Sequence, residues 1–309
     1  MKARAWLWIL VPCLGLAELG AHQYFAKRAP EAEAWRELRP KLAALRKSNE
    51  VVIVAPEWGG PLAREAFGDE LMPLSQVARP DVSAFSRAIE VSMLGKRAPE
   101  LSGWHVAEEH EYGKFVLRVM TNPAPARLSF DFVEAFGPDR VEVREGTAPC
   151  RWNSHAHATA GGLFGHPTFP KRRFECMTGG SRLVGVTVID DDQEYRPRRC
   201  IWPEPSNQGP IVLRFKDVPL GDRIHGYLGI PWVLGRDGIG APVILEVRAA
   251  ERSLGRAVQR GERAWEPFEL PLRELAGATA AVEFIVHDVP AAERLFCFYA
   301  DTRWAAPPS

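Results

Sequence analysis

An excess of charge of either sign is missing from this sequence. Its 309 residues carry 39 Lys+Arg and 39 Asp+Glu, so no global field gathers nucleic acid or an anionic membrane surface. Cysteine is scarce, with five in the chain and none spaced C-x-x-C, which argues against a structural zinc site. There is no G-x-S-x-G, no Walker loop and no G-x-G-x-x-G; Gly235-Arg-Asp-Gly-Ile-Gly240 has glycines at irregular intervals and reads as a turn. With those signatures absent no reaction is indicated, and a non-catalytic protein is the expectation.

What is present begins with a greasy leader. Lys2 and Arg4 precede Ala5 to Ala21, about 17 mostly apolar residues of the kind that direct export. Two readings stay open. A cleaved signal wants small residues at the cut, and Leu19 lies two places before the end of the run at Ala21. Read on through Phe25, the run reaches roughly the 20 residues of a bilayer helix, with Tyr24 and Phe25 as an interfacial belt. Pro12 and Glu18 stand against spanning. The uncleaved signal anchor is the expectation: a single-pass protein of the inner membrane with its C-terminal bulk in the periplasm or outside the cell.

Cysteine use fits that compartment. Cys13 lies in the apolar run, leaving Cys150, Cys176, Cys200 and Cys297. Four cysteines allow three pairings, and sequence alone does not choose. Cys150–Cys176, which closes a Gly/Pro-rich loop, together with Cys200–Cys297 is the favoured set. The 26 glycines and 26 prolines point to many tight turns and a β-rich architecture, and ten tryptophans supply core.

The organisation read from the chain is α+β: a signal anchor over 1–25, a helical stalk over 26–48, a small α/β domain over 49–122 and an antiparallel, jelly-roll-like β-sandwich over 123–309. Trp35, Leu38, Leu42 and Leu45 recur at helical spacing, and Pro40 is expected to kink or split that helix. Val51-Val-Ile-Val54 reads as a strand buried on both faces, and Pro61 suits the first turn of a helix. Further strands are expected at Arg87 to Ser92, Trp104 to Glu109 and Lys114 to Met120. Beyond Ala126, short strands between turns are expected at Leu128 to Val133, Val184 to Ile189, Ile211 to Phe215, Val243 to Val247, Ala281 to Val286 and Leu295 to Ala300.

Two resemblances accompany this reading. The stretches Glu50-Val-Val-Ile-Val-Ala-Pro56, Pro61-Leu62, Arg87-Ala-Ile-Glu-Val91 and Tyr112-Gly-Lys-Phe-Val-Leu-Arg-Val119 leading into Asn122-Pro123 resemble the soluble domain after the membrane helices of some bacterial lipid-linked-sugar glycosyltransferases. Those transferases carry their catalytic acids in a multi-helix membrane region that has no counterpart here, so the resemblance implies a neighbourhood and not a transferase activity. The stretch from Val218 through His225-Gly-Tyr-Leu-Gly-Ile230 to Phe296-Cys-Phe-Tyr-Ala-Asp301 resembles galactose-binding-like jelly rolls of carbohydrate-binding modules, which implies a glycan ligand.

Sugar binding needs aromatic faces for C–H surfaces and polar groups for hydroxyls. The candidate residues are Trp152, His166, Phe169, His225, Tyr227, Trp232 and Arg236. On a strand His225 and Tyr227 share a face, and with Arg236 they form the better cluster. The alternative is a metal-dependent hydrolase or sugar-modifying enzyme in which His155, His157 and His166 bind zinc. Asp190-Asp-Asp192 is a calcium candidate. Glu57 stands past the end of a buried strand, with Asp69 or Glu70 nominally available as a second carboxylate. The resulting expectation is a membrane-anchored, extracytoplasmic, non-catalytic protein without a resident cofactor, which binds glycan or lipid-linked sugar or assists a membrane glycosyltransferase. A structural cell-envelope protein is the remaining alternative.

Overall fold

The computed structural model describes residues 3–157, 170–176, 182–191, 196–205, 209–230, 242–261, 265–287 and 296–305. The chain divides into two compact units, one of residues 1–73 with 87–122 and the other of residues 74–86 with 123–309. One break falls at Asn122/Pro123. Residues 74–86 group with the second unit, where Asp81 and Arg79 make ion pairs with Arg303 and Asp131.

In the first unit the leader forms the helix Ala3–Arg28. Among the described residues no helix is long and apolar enough to cross a membrane. The expected signal anchor finds no support among them. The segment read as a stalk packs into the first unit. Helix Ala32–Leu45 buries Trp35, Leu38 and Leu42, and the Trp35 ring packs edge-on against Phe67 at 5.8 Å and Phe115 at 4.6 Å. The helical spacing of those side chains makes a face, and the unit's own core covers it. The helix runs on through Pro40 without splitting.

That core sits on a four-stranded sheet. Val51–Ala55 lies parallel to Arg87–Met93, which pairs antiparallel with Phe115–Thr121, itself in a hairpin with His105–Tyr112. All five residues of Val51–Ala55 are buried, as a continuous β-branched run requires. Two interior acids are neutralised within the unit. Glu50 pairs with Arg87, while Glu90 meets Arg97 at 2.8 Å and Arg118 at 3.1 Å and accepts the Ala98 N–H at 2.7 Å.

The second unit is an antiparallel β-sandwich. One sheet runs in the order Trp265–Pro271, Arg223–Gly229, Cys297–Trp304, Arg196–Pro203, Arg182–Asp191, Arg173–Cys176, Arg151–Asn153, with Arg127–Asp131 also pairing Cys297–Trp304. The other runs Arg252–Gln259, Val243–Ala249, Thr279–Val286, Ile211–Pro219, Val141–Glu145, Ala148–Pro149. Alternation along each strand sends one set of side chains inward. Phe284 from one sheet meets Phe298 from the other, and Phe215 and Phe132 pack against Phe284, in ring contacts of 4.7–5.9 Å.

Two disulfides staple this unit, Cys150–Cys176 and Cys200–Cys297, the set favoured on sequence. The second lies in a small apolar cluster with Leu183, Ile189 and Trp202.

Candidate functional site: a charged groove on the sandwich

Strands Val141–Glu145 and Ile211–Pro219 alternate apolar and charged residues. Val141, Val143, Leu213 and Phe215 enter the core, so Glu142, Arg144 and Arg214 take the opposite face. Register then sets charges side by side. Glu142 stands opposite Arg214, Arg214 opposite Glu283, and Glu283 opposite Arg248, which makes a row of alternating sign across four strands. Opposite charges directly across a sheet attract, and the contacts form: Arg214 Nη1 donates to Glu283 at 2.8 Å and to Glu251 at 2.9 Å, and Lys216 Nζ lies 2.5 Å from Glu142. The Lys216 hydrogen bond, working against a small burial effect and helped by the charges of Lys216 and Arg214, holds the Glu142 carboxyl below the usual range. Hydrogen bonds to Glu251 and Glu283 raise Arg214.

A groove of about 530 Å³ opens over this row, within the range of small-ligand sites. Glu142, Arg144, Thr147, Arg214, Lys216 and Glu283 give it polar walls, and Pro138, Pro149, Phe174 and the disulfide-bonded Cys150 give it apolar edges. Carboxylates, guanidinium groups and an ammonium held at strand spacing can donate to and accept from several hydroxyls at once.

A second polar cluster lies on the other sheet. In Arg223–Gly229 the core takes Ile224 and Leu228, leaving His225 and Tyr227 on the opposite face with ring centroids 5.2 Å apart. His225 stands opposite Asp301, and Asp301 opposite Asp131. Gly221 permits this packing, because a Cβ there would stand 2.1 Å from the Arg303 carbonyl oxygen. Residues 74–86 cover the cluster. Arg303 bonds Asp301 through Nε at 2.6 Å and Nη2 at 2.5 Å, reaches Asp81 at 2.7 Å and donates to Ser83 at 3.0 Å. Arg79 pairs with Asp131 at 2.9 Å, and Tyr299 donates its hydroxyl to the same carboxylate at 3.1 Å.

The electrostatics follow from that packing. Burial pushes Asp81 upward, but Arg303, the two Ser83 hydrogen bonds and His225 outweigh it and hold the carboxyl below its ordinary value. Burial raises Asp131, with Arg79 opposing. Tyr227 is pushed up to about 12 by burial and then by Asp81.

The residues anticipated from sequence fare unequally. His225 and Tyr227 do share a face, but inside an ion-pair layer. Among the described residues, Asp81, His225 and Asp301 are the one trio whose ligand atoms lie within 4.8 Å of one another; Arg303 already occupies both carboxylates, which leaves a cation poorly served there. Trp152, half-buried, packs on Phe174 at 4.9 Å with Phe136 at 6.2 Å. His166, Phe169, Trp232 and Arg236 lie outside the described residues. Of the zinc set, His155 and His157 are exposed and belong to no metal-sized trio among the described residues, and His166 falls outside them. Asp192 of the calcium candidate is also outside. In the first unit Asp69 pairs with Arg64 at 3.1 Å and Glu70 with Arg39 at 3.0 Å, so both carboxylates nominated to join Glu57 are engaged in exposed ion pairs. The groove residues went unnoticed in the sequence, although the period-2 charges of Val141-Glu-Val-Arg144 and Leu213-Arg-Phe-Lys216 were visible there.

No family model and no curated protein matches the chain. Among solved structures it is similar to the CBM51 module of a Clostridium perfringens GH95 protein in complex with methyl-galactose, at 12% identity over 38% of this chain and 81% of that one, TM-score 0.27. It is also similar to CBM28, a module specific for non-crystalline cellulose, at 9% identity over 40% of this chain and 80% of that one, TM-score 0.27. A third is the CBM51-2 and INT portion of Clostridium perfringens ZmpB with GlcNAc, at 11% identity over 50% and 30%, TM-score 0.29. At these scores the likeness carries no functional argument. The proposed kinship of residues 49–122 with lipid-linked-sugar glycosyltransferases finds no support in these comparisons.

Proposed function

We propose that the second unit is a non-catalytic, jelly-roll-like glycan-binding module that works outside the cytoplasm, with the groove as its saccharide site. The observation that carries this reading is the groove itself: about 530 Å³ over a cross-strand row of fixed donors and acceptors, edged by Pro138, Pro149 and Phe174. Sugar hydroxyls both give and take hydrogen bonds, so a wall of alternating Glu and Arg suits them better than a wall of one sign. Export is favoured by the basic-flanked apolar leader and by the two disulfides, which persist in oxidising compartments.

The test is a glycan array probed with the purified chain, followed by titration of any hit against Arg214→Ala. The reading expects a saccharide hit whose affinity falls about tenfold or more in the variant, since a hydrogen bond to a charged group is worth about 1.5–3 kcal/mol. An array without hits, or a hit indifferent to Arg214→Ala, refutes it.

A further inference from the structure

We infer that the groove takes an acidic saccharide, one bearing a uronate carboxylate or a sulfate ester, and that Arg144 holds the oxyanion. The inference rests on the glycan-binding reading above and names the ligand class for that site.

The outer face of the six-stranded sheet is close to saturated with ion pairs. Arg214 is held by Glu251 and Glu283, and Lys216 by Glu142. Farther along the face, Glu246 takes Arg248 at 2.8 Å, Arg256 at 3.0 Å and His287 at 3.2 Å. Arg144 breaks the pattern. Its cross-strand neighbours are Val212 on one side and Pro149 on the other, and among the described residues no carboxylate pairs with it. Val212 is itself buried at 5% exposure, so the neighbour that would ordinarily supply a counter-charge supplies an apolar surface instead.

Arg144 lines the groove alongside Arg214 and Lys216, against Glu142 and Glu283. Lys216 is matched by Glu142 and Arg214 by Glu283 and Glu251, and among the described residues Arg144 is the groove cation that no carboxylate pairs with. Glu142 already holds Lys216, and Glu283 already holds Arg214. The guanidinium offers a planar fork of donors that a carboxylate or sulfate accepts two at a time. Thr147, also on the groove wall, adds a hydroxyl within the same pocket.

Calorimetric titration of the full chain with four matched probes tests this: oligo-hexuronates, their methyl esters, O-sulfated oligohexoses and the neutral oligohexoses. The expected result is at least about tenfold tighter binding of one charged class over its neutral counterpart, with the preference shrinking as salt rises. Preference for the uronate over its ester assigns a carboxylate ligand, and preference for the sulfated sugar assigns a sulfate. Arg144→Gln should bring the charged probe down to the affinity of the neutral one, Arg144→Lys should keep part of the difference, and the melting temperature of both should match wild type because Arg144 is exposed. Equal binding of charged and neutral probes, or a charge preference untouched by Arg144→Gln, overturns the inference and leaves glycan binding standing. No binding of any of the four probes overturns it as well, and an array hit outside these classes would then keep the broader reading alive.

Discussion

Arg303 is the residue on which the covered polar layer of the sandwich depends. Its guanidinium makes two hydrogen bonds to Asp301, whose side chain is 0% exposed, and a third to Asp81, which is 11% exposed. In Arg303→Met the side chain keeps much of its length and loses its charge. Asp301 is then left in the interior with His225 Nδ1 at 3.8 Å, too far for a hydrogen bond. Breaking a buried pair by removing one partner costs about 3–5 kcal/mol, mostly because the surviving charge is stranded. For a unit of this size that corresponds to roughly 6–20 °C in melting temperature. Urea unfolding followed by tryptophan fluorescence measures it, provided the slope of the transition stays constant so that stability and not the unfolded state is being read. The double variant Asp301→Asn/Arg303→Met removes the stranded charge and should recover more than about 1 kcal/mol relative to the sum of the single losses. A loss below about 1 kcal/mol in Arg303→Met, or strict additivity in the double variant, would show that the layer is solvated and that residues 74–86 are not held by it.

Other expectations follow from the same structure. Opening Cys200–Cys297, which spans 97 residues, should cost about 4.7 kcal/mol in the chain-entropy picture, and opening Cys150–Cys176, which spans 26, about 3.5 kcal/mol; calorimetry before and after verified reduction reads both, and an unchanged melting curve contradicts the pairing. Trp35→Ala should destabilise the first unit by about 3–5 kcal/mol because the ring is 1% exposed against Phe67 and Phe115; a free stalk would lose almost nothing. Asp81 has its folded pKa held below the ordinary 3.8, so its stabilising contribution is full above that value and is lost as pH falls through the folded pKa. Asp81→Asn should therefore flatten the dependence of stability on pH below about 3.8, and an unaltered acid limb would show that Asp81 is not so coupled to Arg303.

Much of the fold could be read from local pattern. Ile211-Val-Leu-Arg-Phe215 and Ala281 to Val286 announce themselves as strands because one face of each is apolar and the sheet buries that face. Arg196-Pro-Arg-Arg-Cys-Ile-Trp-Pro203 does not read as a strand because five of its eight residues are arginine or proline, yet it pairs with Arg182–Asp191 on one side and Cys297–Trp304 on the other. Residues 74–86 were assigned by chain order to the α/β domain; what moves them is long-range, since Asp81 and Arg79 find Arg303 and Asp131 far along the sequence. The same limit hid the groove. Glu142, Arg214 and Glu283 are unremarkable singly, and they become a site when register places them side by side, a fact held by no single segment.

The central claim is that the charged groove binds a saccharide, and amide chemical-shift mapping tests it most directly. Titrating the isotopically labelled chain with a saccharide identified on the array should shift the amides of Val141–Glu145, of Thr147 and of Arg214 and Lys216, with little change in Arg223–Gly229. Shifts centred on His225 and Tyr227 instead, or scattered with no focus on those strands, would contradict the account.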